Sequence, residues 1–145
     1  MLFGQDRNQI RLFYCEAWRK YRAGLPMEPL EDMVAGVIQD HPEYHALLED
    51  SDQALGKDYP PEMGESNPFL HMGMHIAIQE QISTGRPQGI RQYYQAALPR
   101  FGNAHELEHR LMECLAEMIW QAQRNGGAPD EAAYLDCVRQ LAMPR

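Results

Sequence analysis

Residues 67–84 read NPFLHMGMHIAIQEQIST. Asn67 followed by Pro68 is a helix start. The asparagine side chain can accept from an amide of the first turn, and proline at the first helical position has no N–H to leave unpaired. Beyond them Phe69, Leu70, Met72, Met74, Ile76, Ile78 and Ile82 point in all directions around a 3.6-residue helix. A helix that is apolar all round is a central one. The stretch predicts a core helix to about Ser83, turned off by Thr84-Gly85-Arg86-Pro87.

The flanking sequence carries the same helical period. Upstream, Ile10, Phe13, Tyr14, Ala17, Trp18 and Tyr21 form one stripe, predicting a helix from about Asn8 to Arg22 that Gly24 and Pro26 end. A second helix is expected from about Glu28 to Gln39. A short third should cover Pro42 to Glu49, capped by Asp40 or His41. Residues 51–66 (SDQALGKDYPPEMGES) read as loop, the kind that forms a lid or a site wall. Downstream, a fifth helix should run to Leu98 and end at Pro99. A long sixth, capped by Asn103, should run from Ala104 to about Arg124 and close at Gly126-Gly127. A last helix should span roughly Pro129-Asp130 to Met143. No segment alternates apolar and polar residues as a strand does. The expectation is an all-α single domain over residues 1–145, a four-helix-type bundle with short extra helices.

The 145 residues carry 21 acidic and 13 basic side chains, a formal net charge of −8. That balance argues against a general nucleic-acid binder. No run of 18 apolar residues predicts a membrane span. The opening MLFGQDRNQIR lacks the basic-then-apolar order of a signal peptide. Cys15, Cys114 and Cys137 are odd in number and show no CxxC spacing, which reads as free thiols in a reducing cytoplasm.

The six histidines form three pairs, each four residues apart: His41 and His45 in HPEYH, His71 and His75 in HMGMH, His105 and His109 in HELEH. Random placement gives roughly 0.2 such pairs, so three require an explanation. Residues four apart on a helix stack on one face, where two imidazoles can bind one metal ion. His71 and His105 both fall in the first turns after their caps, Asn67 and Asn103. On a helical wheel Glu108 lies inside the apolar arc of its helix, where an unpaired carboxylate is costly. Glu113 lies one turn past His109, just outside that arc.

These residues predict a metal centre of His71, His75, His105 and His109, with Glu108 or Glu113 as carboxylate and His45 and His41 joining from the short third helix. Nitrogen and oxygen donors without thiolate suit iron, zinc, manganese or nickel, as one ion or two. Two functions follow. One is metal-dependent chemistry, redox with two irons or hydrolytic with an open zinc position. The other is a non-enzymatic interaction or structural protein whose histidines form a metal-free polar core network. No nucleophile constellation is visible, so catalytic residues, the small-molecule or protein partner and homo-oligomerisation stay open.

The blocks FYCEAWRKYRAG, HPEYH, PEMGESNPFLHMGMHIAIQEQI and HELEHRLMECLAEMIW make the chain resemble, over nearly its whole length, the bacterial family called domain of unknown function 1841. That resemblance implies a small, helical, cytoplasmic bacterial protein and supplies no catalytic residues. The histidine pattern also looks like haemerythrin and ferritin-like di-iron bundles, and less like DinB-type bundles. It departs from the ferritin-like set, which needs four glutamates and two Glu-x-x-His motifs.

Overall fold

The computed structural model describes residues 7–57, 59 and 67–143, and among these every regular element is a helix. In order they are α1 (Arg7–Ala23), α2 (Pro29–Gln39), a 3-10 turn (Pro42–Tyr44), α3 (His45–Leu48), α4 (Ser51–Gly56), α5 (Pro68–Thr84), α6 (Ile90–Phe101), α7 (Ala104–Asn125) and α8 (Glu131–Leu141). The all-α class is as the periodicity reads. No described helix is long and apolar enough to cross a membrane.

The chain divides into two compact units, and the division falls inside α5, between Ile76 and Ala77. In the first unit α1 packs on α2, α3 and α4. Its core joins Tyr14, Ala17 and Trp18 of α1 to Val34, Val37 and Ile38 of α2, with Leu48, Ala54, Phe69 and Met72 closing it. Lys20 of α1 reaches Glu31 of α2 at 2.7 Å, and Glu31 also accepts from the Glu28 amide at the start of α2. In the second unit α6, α7 and α8 pack on one another. Leu107, Leu111, Leu115, Ile90, Tyr134 and Val138 are among its buried apolar side chains.

Three expectations need correction. Residues 51–56 are helix, not loop: Asp50 caps α4 by accepting from the Gln53 amide. The buried Arg11 closes its other end, its Nη1 donating to the carbonyls of Ala54 (2.9 Å) and Lys57 (2.7 Å). The remainder of the expected lid, residues 58 and 60–66, lies outside the described residues. Pro99 does not end α6 but sits inside it. Its fixed φ is already helical, and near a C-terminus it forfeits a single N–H bond. Gly102, at φ +75°, ends the helix instead.

The thiols are the third correction. Cys114 of α7 and Cys137 of α8 are disulfide-bonded, with Cα atoms 5.8 Å apart, and Cys15 alone is free. The pairing depends on α8 folding back along α7, which no short cysteine spacing encodes.

Candidate metal centre

Histidines of the first unit converge from two elements. Asn67 starts α5 by accepting from the amides of Phe69 and Leu70, and this cap sets His71 and His75 on successive turns of one face. Their Nε2 atoms are 3.2 Å apart and their rings 4.8 Å apart. His41 follows α2. Its ring meets His75 edge-on at 4.8 Å and His71 at 5.1 Å. His41 and His75 are deeply buried, 3% and 1% exposed, and His71 is half-buried.

A backbone carbonyl orients His41. Its Nδ1–H donates to Val37 O at 2.7 Å, which fixes the tautomer whose Nε2 carries the lone pair. A donor bond of this kind on the far ring nitrogen is how proteins orient imidazole ligands. Tyr44 stacks on His41 at 5.5 Å and stands edge-on to His71 at 6.5 Å, with burial first and the Glu43 carboxylate second pushing its phenol upward.

His45 goes elsewhere. Its Nε2–H donates to Ile38 O at 2.8 Å, and its ring lies 4.4 Å from Trp18 of α1, whose indole N–H reaches Glu49. His41 and His45 therefore do not share a face. Pro42 starts a 3-10 turn between them, so their spacing of four is not a helical repeat.

In the second unit Asn103 caps α7, accepting from the Glu106 amide at 2.7 Å. His105 and His109 follow on one face with rings 4.4 Å apart, His105 exposed and His109 half-buried. Glu108 turns inward, 8% exposed, and accepts from Gln79 Nε2 at 3.0 Å. Gln79 is the next residue along the α5 stripe after His71 and His75. Tyr94 of α6 also feels Glu108: burial, then this carboxylate, raises its phenol. Glu113 faces solvent and pairs with Arg110 at 3.1 Å.

Sequence reasoning passed over Tyr44 and Tyr94. Tyr44 had a signal, since it lies inside the HPEYH block. Tyr94 had none, because its approach to Glu108 needs α6 packed on α7.

The family model described as Domain of unknown function (DUF1841) matches residues 6–140. The chain belongs to that family. The match covers all six histidines and Glu108. No curated protein and no solved structure matches the chain. Membership in the family brings no reaction with it, so chemistry has to be argued from these side chains.

Proposed function

We propose that this protein binds a divalent metal ion through histidine nitrogens. The donors we assign are His41, His71 and His75 within the first unit and, as a separate set, His105 and His109 with Glu108 within the second. The observation that carries the reading is the 3.2 Å approach of the His71 and His75 Nε2 atoms. Two nitrogens each about 2.0–2.1 Å from a tetrahedral zinc lie roughly 3.3–3.4 Å apart, so the α5 pair already stands near the edge of such a polyhedron. The carbonyl-oriented tautomer of His41 supports it, because a neutral ring presenting Nε2 is the ligand form. In the second unit Gln79 holds Glu108, which shares the first two turns of α7 with His105 and His109.

Three nitrogens in the first unit leave a fourth position open on a tetrahedral ion, and in the second unit Glu108 adds a carboxylate to two nitrogens. The cysteines offer no thiolate to the set, since two are bonded to each other and Cys15 is buried in the α1 core. Iron, zinc, manganese and nickel fit such donors. Two irons suit oxygen or peroxide chemistry, and zinc with an open position suits hydrolysis. A reducing cytoplasm as the site of action is part of the proposal.

The metal-free alternative treats the same 3.2 Å approach as an N–H···N bond between His71 and His75 within a polar network. Elemental analysis of untagged protein, with melts before and after chelator, separates the two. The expected result is one or two equivalents of metal and a melt that chelator lowers, both reduced in His71→Ala and in His109→Ala. Metal-free protein whose melt ignores chelator and added metals overturns the proposal in favour of the network.

A further inference from the structure

The Cys114–Cys137 bond is not deeply enclosed. Cys114 is buried on α7, Cys137 is half-buried on α8, and both line a cavity of about 380 Å³. Met118 and Tyr134 contribute apolar lining, and Glu117 and Asp130 put two carboxylates beside it. Two further ties hold α8: the Tyr134 hydroxyl donates to Gln81 of α5, and Arg100 of α6 donates to Leu141 O at 3.0 Å. Cys114 lies five residues beyond His109 on the same helix.

We propose that Cys114–Cys137 is a redox site which an uncharged dithiol opens from this cavity, and that its state sets how firmly α7 presents His105, Glu108 and His109. The first clause rests on the reducing compartment proposed above, and the second on the metal reading. Disulfides in reducing compartments are chiefly transient and redox-sensing, which is the behaviour a bond reachable from a cavity allows. A thiolate of the reductant attacks Sγ of Cys137, the more exposed of the two residues. The S–S bond breaks, and Cys114 leaves as a thiolate that takes a proton. The reductant's second thiol gives up its proton and attacks the reductant sulfur of the mixed disulfide, releasing Cys137 as a thiol. The chain gains two electrons and two protons, and the dithiol becomes its cyclic disulfide. Glu117 and Asp130 repel thiols that bring extra negative charge, so the site selects against anionic monothiols such as glutathione.

With the bond open, only the noncovalent ties and packing keep α8 on α7. The first turns of α7 then lose part of their support, as when an outer partner of a metal ligand is removed.

The test begins with the native chain treated with dithiothreitol or with glutathione, alkylated and weighed. Two alkyl groups, on Cys114 and Cys137, are expected with dithiothreitol under native conditions and fewer with glutathione. Labelling that needs denaturant, or that glutathione matches, overturns the redox site. Cobalt(II) titration then compares the oxidised chain with Cys114→Ser/Cys137→Ser, without reductant present. Affinity roughly 10-fold weaker in the double variant is expected. Equal affinity overturns the coupling alone, whereas no binding by either protein overturns the metal reading, and the alkylation result still decides the redox site. Should the double variant not fold, amide exchange of the native chain before and after reduction replaces it. Unchanged exchange in α8 and the first turns of α7 overturns the coupling.

Discussion

Glu108 is buried on α7 and takes a hydrogen bond from Gln79, a residue that also continues the His71–His75 stripe. Removing one partner of a buried carboxylate costs more than the bond itself contributes, because a charged group is left less well solvated than before. Gln79→Ala should therefore lower the unfolding free energy by about 1–3 kcal/mol, read from urea titration. A change within error would show that the Gln79 bond is not part of what makes burying Glu108 tolerable. The helical wheel made the inward turn of Glu108 legible, because a period of 3.6 residues fixes which face a side chain occupies. It could not show Gln79 as the partner, since that contact depends on how α5 meets α7. The same limit separates the histidine pairs. HMGMH and HELEH lie inside unbroken helices, where a spacing of four means a shared face. HPEYH straddles Pro42 and a 3-10 turn, so His41 turns to His71 and His75 while His45 turns to Trp18.

At the scale of elements, the caps were the most legible feature. Asn67 and Asn103 both accept from first-turn amides, because a short side-chain oxygen beside a helix start has that use wherever the helix packs. The helix α4 was not legible. Its six residues are too few to display a period, and the carbonyls at its end depend on Arg11, about 43 residues away in sequence. Asn103→Ala should cost about 1 kcal/mol and speed amide exchange in the turn carrying His105. An unchanged exchange rate there would mean that tertiary packing, not the cap, fixes this turn. Between α1 and α2 the Lys20 ammonium, with the Glu28 amide, holds the Glu31 carboxyl below its usual range. A lowered folded-state value stabilises above the unfolded value near pH 4.3, and that contribution is lost as pH falls through the folded one. Lys20→Met should lower stability slightly at pH 7 and flatten its decline between about pH 5 and 3. Urea unfolding across that range checks it, and an acid limb identical to the parent's would remove Glu31 from the account.

For the whole molecule, the all-α class was legible because every long apolar pattern has the helical period. The division inside α5 was not, because a helix that is apolar all round reads as the centre of one core whether it serves one core or two. The two units make the metal proposal testable without knowing the reaction. An ion held by the α7 histidines stabilises the second unit, and an ion held by His41, His71 and His75 stabilises the first. Binding to the folded state at 100 times its dissociation constant adds about 2.7 kcal/mol to whatever unfolding releases the ion. Amide exchange in α1 and α2 should therefore slow with zinc, by a factor approaching 100 where exchange needs the first unit to open, and likewise in α7 and α8 where the second unit holds an ion. His75→Ala should then remove the gain in α1 and α2, and His109→Ala any gain in α7 and α8. Protection confined to one unit, with the other unit's histidine substitution silent, would mean that the ion binds there alone and that the remaining histidines serve some other purpose.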